Sequence, residues 1–343
     1  MADDLARSIL SRLGSLKTQR QTWESHWQEV ADFVVPRKAN VTKVRSGGDK
    51  RSELVFDGTA IHSAELLSAS LHGMLTSAAT SWFSLRYRDE ELNTDDEAME
   101  WLQGVEDVMY KAFNRSNFQE QIHELYSDLI TFGTGVMFID ADDEQQLRFS
   151  TRHIKECFLS EDEKGRVDTI YREFKMPLRA AQKRFGEENF SSKVLQKASN
   201  NPYAEITLVH AVFTRDERDP VKITSENKPY ASIYIEPEEK VVLSEKGFDE
   251  NPYTCPRFLK SSFEIGYGRS PSMTALADIK MLNKMSEVTI RAAQKQVDPP
   301  LLVPDDGFLL PVRTIPGGLN YYRSGSRDRI EPLNIGANNP LGL

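Results

Sequence analysis

"NPYTCPRFLKSSFEIGYGRSP" (residues 251–271) runs directly into "SMTALADIKMLNKMSEVTIRAAQKQVDPPLLVP" (272–304), and the reading of this junction decides the fold. Ser270 before Pro271 is a helix-start signal, because the serine can cap a free N–H of the first turn and proline suits the first helical position. Asp298-Pro299-Pro300 forbids continuation, since proline lacks the donor and disfavours helix in the residue before it. The spacing predicts a helix over 271–297, about 39 Å long at about 1.5 Å per residue. At about 100° per residue, Met281, Leu282, Met285, Val288, Ala292 and Ala293 share one arc. Lys280, Lys284, Arg291 and Lys295 gather on a neighbouring arc about 60° wide. One side calls for a protein neighbour, and the adjoining stripe offers positive charge.

The 343 residues, 39% apolar and 28% charged, suit a globular chain of two or three domains. No apolar run approaches the roughly 20 residues needed to cross a bilayer, and "MADDLARSIL" lacks a basic segment followed by an apolar core. A chain made in the cytoplasm, with no membrane partner, is the expectation. Cys157 and Cys255 lie far apart without CxxC spacing, so neither a disulfide framework nor a metal site is indicated. A net charge of -9, from 43 basic and 52 acidic residues, argues against a surface that grips nucleic acid all over, while leaving room for one confined basic row.

Leu5, Ile9, Leu13, Leu16, Trp23, Trp27, Val30 and Phe33 recur at helical steps before Pro36, with Arg20 interrupting the series. Residues 37 to 52, which include "RKANVTKVRSGGDKR", are basic and glycine-containing and read as an exposed loop, open to nucleic acid or a neighbouring subunit. A second helix is expected over 59–78, buried among others because of its many small residues. "WFSLRYR" (82–88) alternates as a half-buried strand should, and helices are expected over 96–114 and 117–132. Gly133-Thr134-Gly135 caps the last of these and leads into a hairpin, "VMFID" and "LRFSTRH", joined by an acidic turn. "GRVDTIYREF" reads as a strand and "MPLRAAQKRFG" as a short helix. "EITLVHAVFTR", "YASIYIEP" and "KVVLSE" read as strands, and short proline-broken strands follow residue 300.

Chemistry is scarce. The six histidines form no HExxH, HxH or Cys/His cluster, no serine sits in a GxSxG elbow, and "GTG" lacks the lysine and the strand-before-loop order of a phosphate loop. The densest carboxylates, Asp140, Asp142, Asp143 and Glu144, could in principle hold Mg²⁺ for phosphodiester cleavage, but a hairpin turn is the simpler account. No catalytic residue, metal site or cofactor is expected. Asp278 and Glu287 on the long helix are candidate partners for the cations of neighbouring copies.

In order along the chain, "FDGTA", "FGTGVMFID", "GRVDTIYREF", "NPYTCPRF", "GYGRSP" with "ALADIKMLNKM", and "DPPLLVPDDG" followed by "IPGGLNYY" resemble the portal, or head-to-tail connector, proteins of short-tailed bacteriophages. One departure is Phe258, where tryptophan is expected. The resemblance implies an α+β subunit of a ring, typically a dodecamer, at one capsid vertex of the virion. The mapping is an N-terminal helix and basic loop (1–57) joined to a wing (58–270), a stem helix (271–297) and a clip (298–343). It implies double-stranded DNA passing along the channel, a terminase large subunit and then a tail adaptor protein docking on the clip, and contacts with capsid and scaffold proteins. It implies no enzymatic activity. On this mapping Lys280, Lys284, Arg291 and Lys295 line the channel, and an acidic chain with one basic row suits a conduit that DNA must slide through, because each phosphate contact adds a barrier to release. Portals return through a second stem helix, a tunnel loop and a crown, which nothing after "NIGANNPLGL" supplies, so an incomplete portal is the expectation. The rivals are a metal-dependent phage nuclease or hydrolase using the Asp140 to Glu144 carboxylates, and a tail adaptor ring protein.

Overall fold

The computed structural model describes residues 2–302 except Gly47, Asp143, Asp216, Pro220, Val221 and Ile223, together with Pro311, Tyr321, Glu331 and Pro332. Its helices are α1 (Ala2–Val34), α2 (Thr59–Leu75), α3 (Asp96–Arg115), α4 (Phe118–Phe132), α5 (Leu178–Phe185), α6 (Ser192–Asn200) and α7 (Pro271–Val297). Its strands are β1 (Met137–Asp142), β2 (Gln146–Thr151), β3 (Cys157–Glu161), β4 (Val167–Pro177), β5 (Glu205–Thr214), β6 (Tyr230–Glu236), β7 (Val241–Phe248), β8 (Tyr253–Thr254), β9 (Leu301–Leu302) and β10 (Glu331–Pro332). The mixture is α+β, as expected. The chain divides into one compact unit of residues 1–54 and 58–277 and another of 55–57 and 278–343.

In the first unit β3 to β7 form an antiparallel sheet in chain order. Tyr171 pairs with Ala211 and Phe174 with Leu208, so odd and even positions face opposite sides. One face, with Tyr171, Val209, Ala211, Ile233 and Ile235, packs under Ala6, Ile9, Leu13 and Leu16 of α1. The other, with Phe174, Ile206 and Leu208, packs under Leu178 and Ala181 of α5 and Val194 and Ala198 of α6. Cover on both faces explains why β5 reads as a nearly continuous apolar run. Each buried Leu or Ile contributes about 1.5–3 kcal/mol relative to exposure. The sequence reading passed over α6, whose signal is Ser191, a side-chain cap on Val194 N, ahead of Val194 and Ala198.

Arg20, which interrupts the apolar series of α1, is a buried clamp. It is 3% exposed, and its Nη1 donates to the carbonyls of Ile154 (2.9 Å) and Cys157 (2.8 Å). Its Nε and Nη2 hold Glu24 at 2.9 and 2.6 Å, and the guanidinium lies 3.8 Å from the centroid of the Phe158 ring. One cation thus fastens the long helix to the entry of β3.

The other half of this unit is built on α4, which packs Phe118, Ile122, Leu125 and Leu129 against Met137 and Phe149 of the β1–β2 hairpin. Residues 82–87 are not the expected strand. Their apolar side chains do alternate inward, but the backbone bonds to side chains in place of a ladder. Phe83 N donates to the Tyr110 hydroxyl (2.7 Å), Leu85 N to Glu106 (3.0 Å) and Tyr87 N to Asn93 (2.9 Å). α2 stops at Leu75, and in this chain it buries only Ala64 and Ser68, with Leu66 and Met74 turned outward. Its apolar residues are spread over more faces than the neighbouring helices cover.

The basic stretch after Pro36 is an irregular loop, exposed over much of residues 42–50 as expected, but several of its cations are neutralised from within. Arg37 pairs bidentately with Glu124 (2.8 and 2.9 Å), buried Lys38 with Asp128 and Glu124, and Lys43 with Asp32 (2.5 Å). Ala39 and Val41 are core. His153 joins this network: its Nδ1 accepts from Lys155 N (3.1 Å), so the proton sits on Nε2 and is donated to Lys38 O (3.1 Å).

Burial, reinforced by the Lys38 charge, pulls His153 down to about 4, and burial pushes Asp128 up to about 6 against the pull of Lys38. The signs oppose. The lowered histidine contributes stability present above about pH 6.5 and lost as pH falls towards 4. The raised carboxyl contributes stability present below about pH 3.8 and lost as pH rises through 6. Between pH 7.5 and 5 His153 removes about 2 kcal/mol and Asp128 returns about 1. The variant His153→Gln is expected to shift the unfolding free energy relative to the parent by about 2 kcal/mol between these two pH values, and parallel pH curves from urea titration would refute it. Arg20→Met, which removes the guanidinium's bonds to two buried carbonyls and to Glu24, is expected to cost about 3 kcal/mol in the same assay. A loss under about 1 kcal/mol would show that the clamp is dispensable.

In the second unit the side chain of buried Asn283 accepts from Phe56 N (2.7 Å) and Asp57 N (3.1 Å), tying residues 55–57 to α7. β9 pairs antiparallel with β10. The other strands expected after residue 302 lie outside the described residues.

Candidate functional site

The long helix begins where three separate stretches of chain are knotted together. Gly133, left-handed at φ +76°, ends α4. Its carbonyl accepts from Phe258 N (2.9 Å), and Gly135 N donates to Pro256 O (3.1 Å). Leu259 and Arg269 exchange a pair of backbone bonds (3.1 and 2.8 Å), and Gly268 N donates to Thr134 Oγ1 (2.9 Å). No side chain fits at either glycine: a Cβ on Gly133 would stand 2.3 Å from Gly268 O, and one on Gly268 would stand 2.7 Å from Leu259 O. Ser270, fully buried, then donates to Thr131 O (2.9 Å) and accepts from Met273 N (2.9 Å), capping α7 as the Ser-Pro pair foretold.

A second brace holds the segment leading into α7. Glu161, at the end of β3, receives the Arg257 guanidinium, the Lys260 ammonium (2.7 Å) and Gly266 N (2.9 Å). The Trp27 indole donates to Phe132 O (3.1 Å), and its ring meets Tyr267 edge-on at 5.0 Å. The cap, the glycines and the aromatic pair are far apart in sequence, so periodicity could not show that they meet. The adjacency of "GTG" and "GYG" turns to helix ends was the available signal.

α7 spans Pro271–Val297, the bounds expected of it, and about 40 Å. Lys280, Lys284, Arg291 and Lys295 are all exposed on it. Glu287, one step off their arc, pairs within the chain with Lys284 (3.0 Å, three residues back) and Arg291 (2.5 Å, four residues on). These partners hold the Glu287 carboxyl below its usual range, the Lys284 hydrogen bond first. The middle of the row therefore carries less net positive charge than its residue count suggests. Asp278 is also exposed, on the side of the apolar arc. The apolar arc is open in this chain, with Met281 60% and Met285 59% exposed.

The acidic hairpin turn is structural. Asp142 accepts from Glu144 N (2.8 Å) and Gln145 N (2.9 Å), an Asx-type turn that lowers its carboxyl, and faces Arg148 at 3.8 Å. Asp140 accepts from Ala141 N, and Asp143 lies outside the described residues. Among the described residues no group of three or more His, Cys, Asp or Glu side chains could hold a metal ion, and no helix is long and apolar enough to cross a membrane. Cys157 is buried, which pushes its thiol up to about 12.

Residues 6–339 match the family described as bacteriophage head to tail connecting protein. The chain belongs to this family. It is 32% identical over 326 residues to a probable portal protein of Bordetella phage BPP-1 and 31% identical over 325 residues to a portal protein of Salmonella phage epsilon15. Each match covers 94% of this chain but 59% and 58% of those proteins, so the chain spans somewhat under two thirds of their length. Membership is in a family of structural connectors, and neither the nuclease nor the adaptor rival finds support. The knot is made of the "FGTGVMFID", "NPYTCPRF" and "GYGRSP" stretches on which the resemblance to such connectors rests.

Gly133→Ala meets both a strained φ and backbone overlap, and is expected to destabilise the first unit by about 3 kcal/mol or more. Gly73→Ala, inside α2 with nothing within 4 Å of the added carbon, is expected to stabilise by about 0.5–1 kcal/mol. Equal effects in paired thermal melts would refute the knot's steric role.

Proposed function

We propose that copies of this chain form a closed ring at one vertex of a phage capsid, with α7 lining the channel through which double-stranded DNA is packaged and ejected. Family membership across residues 6–339 carries this reading. Residues 1–57 and 58–270 act as the N-terminal arm and wing of a portal-type subunit, 271–297 as its stem and 298–343 as the start of a clip. The ring is dodecameric, resides in the virion after synthesis in the host cytoplasm, meets capsid and scaffold proteins at its wing, and receives a terminase large subunit and then a tail adaptor at its clip.

Lys280, Lys284, Arg291 and Lys295 serve this role as transient phosphate contacts. In a ring each position becomes a circle of charge, and a full circle of unpaired cations would hold DNA tightly and salt-dependently. Glu287 moderates that grip by occupying Lys284 and Arg291, and with Asp278 it is placed to answer the cations of a neighbouring copy. The exposed apolar arc of α7 supplies contact area between stems.

Native mass spectrometry with negative-stain imaging tests the ring directly. Given a ring, replacing the four cations by alanine is expected to leave assembly intact and to change packaging yield or DNA retention. Glu287→Gln, which frees two cations per copy, is expected to shift retention the opposite way. Normal packaging and retention in the quadruple variant would remove α7 from the channel role.

A further inference from the structure

The segment "DEELNTDDEAMEWLQGVED" (89–107) holds nine carboxylates and neither lysine nor arginine. Outside it the chain has 43 residues of each sign, so this one segment accounts for the whole net charge of -9. Three of its acids have local duties: Asp95 caps Ala98 N (3.1 Å), Asp89 accepts from Glu91 N (3.1 Å), and Glu106 accepts from Leu85 N (3.0 Å). Asp96, Glu97, Glu100 and Asp107 stand exposed on α3.

Beside them runs an apolar stripe that the described residues leave largely open. At about 100° per residue Trp101, Val105, Val108 and Ala112 fall within about 60° of arc, with Met109 at its edge. Trp101 is 64% and Val108 63% exposed, whereas Leu102, about 100° round the helix from Trp101, is buried. An outward tryptophan at the centre of such a stripe is the kind of anchor that carries binding energy at protein interfaces. Glu97, Glu100 and Asp107 lie along one flank of the stripe, so the face is amphipathic in its own right.

We propose that this face of α3 docks a basic amphipathic helix of another protein, with apolar residues seated on Trp101 and Val108 and Lys or Arg side chains meeting Glu97, Glu100 and Asp107. Charge complementarity selects this occupant. Nucleic acid is repelled by so concentrated a negative face. Outside α7, which the channel reading occupies, a second copy offers little in return, because many cations of the chain already hold its own carboxylates, among them Lys17 with Glu173, Arg37 with Glu124, Lys193 with Glu239 and Lys197 with Glu238. α3 takes no part in the channel reading, on which the inference rests only for setting α7 of a second copy aside.

The test uses the 343-residue chain and two fluorescein-labelled 18-residue peptides with leucine on one helical face. One carries lysine at every other position and the other glutamate, and binding is read by anisotropy. The lysine peptide is expected to bind, to weaken at least tenfold with Trp101→Ala plus Val108→Ser, and to weaken as strongly with Glu97→Lys plus Glu100→Lys or in 0.5 M salt. The glutamate peptide is expected not to bind. All the substituted side chains are exposed, and unchanged circular dichroism melts establish that the variants fold. Binding that survives the Trp101 and Val108 substitutions would reduce the effect to diffuse attraction and overturn the proposal. So would sedimentation showing that Trp101→Ala disrupts self-association, which would make the stripe a contact between copies.

Discussion

The structure turns on a backbone contact that no side chain can enter. Gly133 and Gly268 come so close that a Cβ on either would overlap main-chain atoms. That approach lets Thr134 accept from Gly268 N, which in turn sets Ser270 under the last turn of α4 and over the first of α7. The start of α7 is thus fixed within the first unit by hydrogen bonds of about 2.9 Å among main-chain groups and two small hydroxyls. Long side chains could have held the same junction only through rotatable bonds, at an entropic cost of about 1–2 kcal/mol each.

Charge is managed by a similar economy. Arg37, Lys38, Lys43 and Arg45 are folded against Glu124, Asp128 and Asp32, and the Arg20 guanidinium is occupied by two carbonyls and Glu24. On α7 the pairing is partial: Glu287 attends two of the four cations. Buried pairs such as Lys38 with Asp128 give register more than net stability, because desolvation offsets much of the attraction. Among the described residues, exposed charge of one sign is concentrated on α3 and along α7, and a partner of defined sign would change the energy strongly at both.

Legibility in the sequence followed the range of the forces involved. α7 could be read to the residue because its signals, Ser270, Pro271 and Asp298-Pro299, are local. The hairpin and the strands β4 to β7 were legible because period-two patterns and turn residues sit within a few positions of each other. The segment 82–87 was misread for the converse reason. Its alternation is that of a strand, but its partners are Tyr110, Glu106 and Asn93, side chains that a periodicity argument does not consult. Arg20 and Lys38 were read as an interruption and as exposed charge because burial of a cation depends on acceptors more than 80 residues away.

The candidate site divides along the same line, into what one helix encodes locally and what it does not. The cationic arc of α7 is a property of one helix and needs nothing but the 3.6-residue period. The moderating role of Glu287 also lies within one helix, three residues from Lys284 and four from Arg291, yet an arc drawn from Cβ directions alone leaves it just outside. Long side chains lean across such boundaries, so a helical wheel overstates how separate two neighbouring stripes of charge are. A cationic row flanked by a carboxylate at this spacing is best regarded as one graded surface, with its strength set by how many of its cations the acid holds at a time.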